Sequence, residues 1–292
     1  MISVLIASYN RNVVNLINEL HLQLKNATIP FEIICLDDGS KSVFDLENEK
    51  VNLLSDCYFE SLKINIGRSA IRNLLASKAA YNWLLFLDSD VLPTNSMFIS
   101  NYLKEIENTN STVFLGGIKY RDSNEEKMLR WKFGKKSEEV SALKRSENSF
   151  KYFFTANFLI NKSTFDAVKF NENIVDYGYE DLLFSKELLK RSIKIIHVEN
   201  AVYHLGIDTN SVFIDKTKKA IKNLNFLIQK NLIEKEDTKI SKLYFKLKPF
   251  GIARFLAFFS VFFEKRTNQK SSVFYYNLFR ITYLHQVIKN SK

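Results

Sequence analysis

Cysteine, proline and glycine are all scarce in this chain of 292 residues, which has two cysteines, three prolines and eight glycines. We find no internal repeat, and so few prolines and glycines exclude long flexible linkers. We therefore expect one sizeable folded domain with a smaller addition. The cysteines, Cys35 and Cys57, fit neither a disulfide framework nor a metal-binding spacing. We expect both thiols to be packed inside a protein of a reducing compartment.

The sequence also lacks a long apolar run and the pattern of an amino-terminal targeting segment. The apolar stretch 249–263 is shorter than the ~20 residues that a bilayer crossing needs, and Arg254 interrupts it. The apolar segment 2–7 is not preceded by a charged region and a cleavage site. We therefore expect no secretory signal and a cytoplasmic location.

Positive charge is concentrated in one part of the chain. Residues 1–215 hold 25 basic and 28 acidic side chains, whereas residues 216–292 hold 17 basic and 4 acidic ones. This asymmetry predicts an anionic partner for the second part alone. We do not expect nucleic acid, because the aromatic residues there cluster with aliphatic residues instead of alternating with charges.

Two readings of this basic second part stay open. Aromatic and aliphatic residues fill 249–263 and recur up to Leu284, with basic residues among them. This mixture is typical of a segment that lies in the plane of an anionic membrane surface, here the inner face of the cell membrane. The alternative is a helical region whose phenylalanines pack against the catalytic domain or form a dimer.

Apolar strands and amphipathic helices alternate over the first part of the chain. The pattern predicts strands at 2–7, 31–36, 62–64 and 83–87, a helix up to Lys25, and a helix at 70–81 with Ser69 as its N-cap. This alternation predicts right-handed crossovers and a parallel sheet. Further along, it predicts strands at 113–117, 153–160 and 194–198, helices at 96–107 and 176–189, and a mobile loop or exposed helix at 122–149.

Polar residues follow three of the predicted strands at the point where each strand ends. They are Ser8, Tyr9, Asp37, Asp38, Asp88 and Asp90. Because ligands of open α/β sheets bind beyond the carboxyl ends of the strands, we expect these residues to form one site. Asp88 and Asp90 can point to the same side of an extended chain, where their charges repel unless a cation lies between them. Mg²⁺ or Mn²⁺, which prefer oxygen ligands, would serve and would in turn bind a diphosphate.

In order and spacing, the short motifs of this sequence resemble those of the family 2 glycosyltransferases over roughly residues 1–210. They are Ser-Tyr-Asn at 8–10, Asp-Asp-Gly-Ser at 37–40, Asn-Ile-Gly at 65–67 with Arg-Asn at 72–73, Asp-Ser-Asp at 88–90, Gly-Tyr-Glu-Asp at 178–181 and Tyr-His at 203–204. The resemblance implies the α/β GT-A fold, a mixed sheet flanked by helices, over residues 1–215. Residues 216–292 would be a helical, basic and aromatic appendage.

The resemblance also implies an inverting enzyme that transfers a sugar from a nucleoside diphosphate sugar to a hydroxyl group. The tail favours a polysaccharide or a lipid-linked glycan as the acceptor. The implied donor site consists of Ser8, Tyr9, Asp37, Asp38, Arg72, Asp88 and Asn157. Asp38 would accept a hydrogen bond from N3–H of the base, which favours a UDP-sugar, and Tyr9 would stack on the base, worth ~1–3 kcal/mol. Arg72 would face the diphosphate, unless it is a solvated helix arginine, and Asn157 would line the donor sugar.

The remaining motifs imply a metal and a general base. Asp90 would bind Mn²⁺ or Mg²⁺ directly, and Asp88 would reach the ribose, or the metal through water. His204 would be another ligand, suited better to Mn²⁺, unless it is a packed polar residue. Asp181 would take the proton of the acceptor hydroxyl and Glu180 would contact the acceptor. The alternative for both is a structural place in the first turn of a helix.

Two other functions stay open. An apolar strand followed by Asp88-Ser89-Asp90 is also typical of phosphotransferases of the haloacid dehalogenase type, in which Asp88 would be the nucleophile. That family carries the motif on its first strand, whereas two strand–helix units precede it here. The second alternative is a nucleotide-sugar-binding protein without activity. The presence of candidate residues for every catalytic role argues against it.

Overall fold

The computed structural model describes residues 1–122, 124–174 and 176–291, which form two compact units. The first unit comprises Met1–Arg121, Glu138–Val175 and Glu180–Gly206. The second comprises Asp122–Ser137, Asp176–Tyr179 and Ile207–Lys292. The sequence predicted a single boundary after residue 215, whereas two earlier segments also join the second unit.

The first unit is built on a mixed sheet. Its strands are β1 (Ile2–Ser8), β2 (Phe31–Asp37), β3 (Cys57–Ser61), β4 (Trp83–Asp88), β5 (Val91–Pro93), β6 (Val113–Leu115), β7 (Ile118–Lys119), β8 (Asn157–Asn161), β9 (Ile196–His197) and β10 (Val202–His204). The main sheet has the order β3-β2-β1-β4-β8-β6-β9, and a smaller one has the order β5-β10-β7. β1 to β4 pair in parallel, whereas β8 is antiparallel to β4 and β6. The parallel pairing predicted from the alternation is therefore confirmed for β1 to β4. The mixed sheet implied by the resemblance is confirmed for the sheet as a whole.

Burial explains which strands the sequence predicts well. β1, β2 and β4 are buried along nearly their whole length, as expected of central parallel strands that are covered on both faces. The third strand was predicted at 62–64 but lies at Cys57–Ser61. Phe59 is 4% exposed, whereas Ile64 is 69% exposed and Leu62 is only partly buried, so the apolar residues at 62–64 do not form the buried face of a strand.

Helices flank the sheet and build the second unit. They are α1 (Val14–Asn26), α2 (Asp45–Asn48), α3 (Arg68–Lys78), α4 (Phe98–Asn108), α5 (Leu129–Ser137), α6 (Ala142–Ser146), α7 (Lys162–Val168), α8 (Glu180–Lys190), α9 (Asn210–Gln229), α10 (Lys239–Leu247), α11 (Ile252–Ala257), α12 (Ser260–Lys270) and α13 (Val273–Asn290). The predicted cap of α3 is wrong. Gly67, at φ +89°, is the N-cap, and Ser69 lies buried in the first turn.

An aromatic core fixes α8 on the sheet. The ring centroids of Phe86 and Phe158 are 4.7 Å apart, and those of Phe170 and Phe184 are 4.4 Å apart. Phe184, on α8, is 2% exposed, and burial of such a side chain stabilises a fold by about 1.5–3 kcal/mol. The first turn of α8, which carries Glu180 and Asp181, is therefore held by a rigid core.

The second unit has an apolar core of its own. Leu129 of α5 packs there with Ile214, Phe263, Tyr276 and Phe279. The segment 122–137 belongs to this unit because α5 buries its leucine in that core, and a long-range contact of this kind leaves no local sequence pattern. Among the described residues, none of the helices is long and apolar enough to span a bilayer.

Candidate active site

The carboxyl ends of β1, β2 and β4 meet at one edge of the sheet. Ser8 is opposite Asp37 in the β1–β2 pair, and Ala7 is opposite Asp88 in the β1–β4 pair. The expectation that the polar residues after these strands gather at one place is thus confirmed for the strand ends themselves.

Asp37 organises the turn that follows β2. Its side chain is fully buried and accepts hydrogen bonds from the Ser40 amide at 2.8 Å and from the hydroxyls of Ser40 and Ser61. A buried carboxylate with these partners has no surface for a ligand. The structure therefore corrects the assignment of Asp37 to the donor site, because its role is internal.

Asp38 holds the loop that leads into α3. Its Oδ1 accepts from the Ile66 amide at 2.7 Å and its Oδ2 from the Gly67 amide at 3.0 Å, which explains the Asn-Ile-Gly motif. Burial raises the pKa of this carboxyl and outweighs the two amide hydrogen bonds, which lower it. A carboxylate offers about four acceptor positions, so two remain after these bonds. Asp38 can thus still accept a hydrogen bond from an N–H group of a nucleotide base.

Ser8 is the last residue of β1, and Tyr9 follows it at the same edge of the sheet. Tyr9 is 56% exposed and presents an aromatic ring to solvent. The Ser8 hydroxyl is buried and has no hydrogen-bond partner among the described residues. A buried polar group without a partner costs about 1–3 kcal/mol, which a bound ligand with a hydrogen-bonding group would relieve.

Arg72 joins the end of β4 to the start of α8. Its guanidinium is 2.8 Å from Asp88 Oδ1 and 3.9 Å from Glu180 Oε1, and its side chain is 5% exposed. It also lies over the Phe170 ring, 5.6 Å from the centroid. The alternative that Arg72 is a solvated residue on a helix surface is therefore wrong. Although burial alone would raise the pKa of Asp88, Arg72 and then Arg68 outweigh it and hold that pKa below its usual value.

The carboxyl group of Asp181 has a pKa well above the ordinary value of an aspartate. Burial raises the pKa of its carboxyl to about 7, and the neighbouring Glu180 carboxylate adds to the rise. The Leu182 amide donates to Asp181 Oδ1 at 2.7 Å and fixes the orientation of the carboxyl group. A general base works best when its pKa is close to the working pH. This property is absent from an ordinary first-turn aspartate on a helix surface.

Asp90 and His204 are brought together by the pairing of β5 with β10. His204 is opposite Val91, and the Leu205 amide donates to the Asp90 carbonyl at 2.8 Å. A methyl group on Gly206 would overlap Asp90 Oδ2, so only glycine lets the backbone pass so close to that carboxylate. The Arg11 guanidinium is 3.5 Å from the same oxygen.

These residues fit a cation that takes part of its ligands from a substrate. Carboxylate oxygens at Asp88 and Asp90 and an imidazole at His204 are the donor types of an Mn²⁺ or Mg²⁺ site. In the described part of the chain, no group of three or more acidic, cysteine or histidine side chains is gathered closely enough to hold a metal alone. Phosphate oxygens and water would have to supply the other ligands.

Asn157 lies outside this constellation. Its side-chain amide donates to the carbonyls of Gly117 and Asn200 at 3.0 and 2.9 Å and accepts from the Tyr102 hydroxyl at 2.6 Å. Asn157 is 1% exposed. The prediction that Asn157 lines the donor sugar is therefore corrected. Both polar atoms of its side chain form hydrogen bonds within the protein.

The sequence motifs assigned no role to Arg11 or Arg68. Arg68 is 3.2 Å from Glu180 Oε1, and its side chain is 52% exposed. Both arginines directly follow motifs that were recognised, Ser-Tyr-Asn and Asn-Ile-Gly. A basic residue directly after each of these two motifs was the available signal, since the acidic side chains at this edge attract cationic partners.

A model of the family described as glycosyl transferase family 2 matches residues 3–171. Chondroitin synthase of Escherichia coli is 24% identical over 237 residues, which cover 70% of this chain and 34% of that protein. Hyaluronan synthase of Pasteurella multocida is 24% identical over 226 residues, which cover 65% of this chain and 23% of that protein. The chain thus spans about a third or less of the length of these relatives.

Two solved structures show the same fold. Mannosyltransferase PcManGT from Pyrobaculum calidifontis, in complex with GDP-Man and Mn²⁺, is 13% identical with a TM-score of 0.58, and the match covers 99% of this chain and 86% of that chain. S. aureus TarS 1-349, in complex with UDP-GlcNAc, is 18% identical with a TM-score of 0.51, covering 99% and 92%. The GT-A fold implied by the sequence motifs is confirmed.

Proposed function

Because the chain belongs to glycosyl transferase family 2, we propose that it transfers a sugar from a nucleoside diphosphate sugar to a hydroxyl group, with inversion at the anomeric carbon. One observation carries the catalytic part of this proposal. The first turn of α8 holds a carboxyl group, Asp181, with a pKa of about 7, beside an ion-pair network that reaches the strand end at Asp88.

We propose a UDP-sugar as the donor. The two acceptor positions left on the Asp38 carboxylate suit the N3–H group of uracil, and the exposed ring of Tyr9 suits stacking on a base. The UDP-GlcNAc complex of TarS and the polymers named for the two synthases point in the same direction. We propose a growing polysaccharide or a lipid-linked glycan as the acceptor.

The diphosphate belongs near Asp90, Asp88 and His204. These residues would hold Mn²⁺ or Mg²⁺, whose charge favours departure of the nucleoside diphosphate. Arg72 keeps Asp88 ionised and in place, because its guanidinium pairs with that carboxylate at 2.8 Å. The Arg11 guanidinium, 3.5 Å from Asp90 Oδ2, supplies a positive charge at the same place.

The reaction proposed is a single displacement. The acceptor oxygen attacks the anomeric carbon from the face opposite the diphosphate, and the bond from that carbon to the phosphate oxygen breaks with its electron pair. Asp181 takes the proton of the attacking hydroxyl, and the negative Glu180 beside it raises its affinity for that proton. General-base assistance of this kind is worth about 10²–10⁴-fold in rate.

These observations argue against both alternative functions, each for a different reason. A haloacid dehalogenase type of phosphotransferase is dropped, because the family and the fold are those of glycosyltransferases. A protein that binds nucleotide sugars without turnover offers no reason for a carboxyl group with a pKa near 7 at the start of α8.

The test is UDP release from a panel of UDP-sugars in the presence of Mn²⁺, with candidate glycan acceptors. Asp181→Asn should lower turnover at least 100-fold while UDP binding, measured by calorimetry, stays within a few-fold of the original. Asp166→Asn, which changes an exposed aspartate on α7, is the matched control and should leave turnover unchanged. Full turnover by Asp181→Asn would remove the proposed base, and absence of turnover with every donor would favour the binding protein.

A further inference from the structure

Phenylalanines are exposed in a continuous group on the second unit. We name as the aromatic face its exposed apolar side chains between 250 and 274, which are Phe250, Ile252, Phe255, Phe258, Phe259, Val261, Phe262 and Phe274. Phe258 is 82% exposed and Val261 is 79% exposed. Soluble proteins seldom leave so much contiguous apolar surface to water, so such a face indicates a binding surface.

Ring contacts connect the members of this face. The Phe255 and Phe259 centroids are 5.7 Å apart, and those of Phe262 and Tyr275 are 6.1 Å apart. Phe274 continues the series at 5.6 Å from Tyr275. Phe255, Phe259, Phe262 and Phe274 therefore each contact another aromatic ring, and they are not isolated side chains of the kind that any protein shows.

The internal core of the second unit does not need these side chains. α12 buries Ser260, Phe263 and Thr267, which recur at helical spacing, and packs them on its own unit. Val261 and Phe262 lie on the part of the helix that this packing leaves exposed. The reading of the tail as a packed helical region thus accounts for Phe263 but leaves the aromatic face unexplained.

The part of the sequence that carries the aromatic face has charges almost entirely of one sign. From residue 238 to the end, the sequence has eleven Lys and Arg and one acidic residue, Glu264. Lys218 pairs with this glutamate at 2.6 Å, so even the single negative charge is compensated. Arg266 lies over the Phe262 ring at 5.3 Å, which joins the basic residues to the aromatic ones.

We propose that the aromatic face binds the surface of a bilayer that contains anionic phospholipids. The phenylalanines would enter the boundary between headgroups and acyl chains, and Lys265, Lys270 and their basic neighbours would lie among the phosphates. α12 has 11 residues, about 16 Å at 1.5 Å per residue, which suits a helix in the plane of the surface rather than across it. The binding does not depend on the donor or on turnover.

The test is co-sedimentation of the full chain with phosphatidylcholine vesicles, prepared with and without phosphatidylglycerol. We expect the protein to sediment with the anionic vesicles only and to be released as salt rises. Phe258→Ser with Val261→Ser should weaken binding at least tenfold. Val43→Ser with Leu46→Ser, which removes equally exposed apolar side chains from the first unit, should have no effect.

A second pair of variants tests the contribution of charge alone. Its result can be used even if the variant with Phe258→Ser and Val261→Ser does not fold. Lys265→Gln with Lys270→Gln should weaken binding about fivefold for each lysine, whereas Lys50→Gln with Lys104→Gln should leave it unchanged. Equal binding by both lysine pairs would overturn the proposal. So would binding to neutral vesicles alone, preference for RNA over anionic vesicles, or a dimer that Phe258→Ser with Val261→Ser dissociates without any binding to lipid.

Discussion

At the residue scale, the environment of a side chain decides its role more than its type does. Asp37 and Asp38 are neighbours of the same type, yet the first is used entirely inside the turn and the second keeps acceptor positions. The sequence predicted that acidic residues gather at this edge, because their places after apolar strands are visible in the chain. It could not predict which of them keep acceptor positions for a ligand, because the partners Ser61 and Ile66 come from other segments of the chain.

The pKa of Asp181 gives a pH dependence that can be measured. A base must be deprotonated, so turnover should be lost as pH falls through about 7 and reach a plateau above it. Because Glu180 raises this pKa, Glu180→Gln should shift the acidic limb of the profile to lower pH. Glu187→Gln, at a glutamate that pairs with Lys190 on the same helix, should leave the limb in place. A limb that Glu180→Gln does not move would contradict the assignment of Asp181.

Burial separates the two arginines that contact Glu180. Arg72→Met should lower the free energy of unfolding by about 3 kcal/mol, because it leaves two carboxylates at a poorly solvated place without their partner. Arg68→Met should lower it by less than about 1 kcal/mol, because its side chain is 52% exposed and solvent screens its ion pair. Urea denaturation of both variants measures the difference. Similar losses for both would show that Arg72 is not the centre of the network.

At the element scale, the parallel strands were predicted correctly where their burial is nearly complete, and β3, where burial is partial, was misplaced. β1, β2 and β4 have continuous apolar runs, which are readable from the sequence alone. β3 has alternating burial at the edge of the sheet, and the nearby apolar residues at 62–64 were predicted as the strand in its place. The same difficulty applies to Asn157, because a strand residue that looks polar and available is bonded on all sides by residues from other segments.

The turn at residues 176–179 directly precedes α8, which carries the proposed base. Gly178 has φ +94° and Tyr179 has φ +72°, and the Asn223 side chain donates to the Gly178 carbonyl at 2.7 Å. Gly178→Ala adds strain of about 1–2 kcal/mol and brings a methyl group to 3.2 Å from the Ala220 side chain. We expect it to lower kcat at least tenfold with little change in the KM for the donor.

Gly251→Ala is the control for this change, because Gly251 has φ +70° but no atom within 4 Å of the added methyl group. It should cost about 1 kcal/mol in unfolding free energy and leave kcat as it was. Equal kcat values for the two variants would mean that the turn does not position α8.

At the scale of the whole molecule, the two units divide the chemistry between them. The first carries the acidic edge, α8 and most of the family match over residues 3–171, whereas the second carries the basic and aromatic surface. The fold of the first and the charge of the second are both visible in the sequence. The sharing of segments 122–137 and 176–179 with the second unit is not, since it depends on packing between residues far apart in the chain.

The configuration of the transferred sugar tests the central claim most directly. A single displacement assisted by one carboxylate turns an α-linked UDP-sugar into a β-linked product. Proton NMR of the product, followed from the first turnovers, should show only the large anomeric coupling of a β-glycoside when a gluco-configured donor is used. An α-linked product, with the small coupling of retained configuration, would contradict the account, because it requires two displacements or front-face attack.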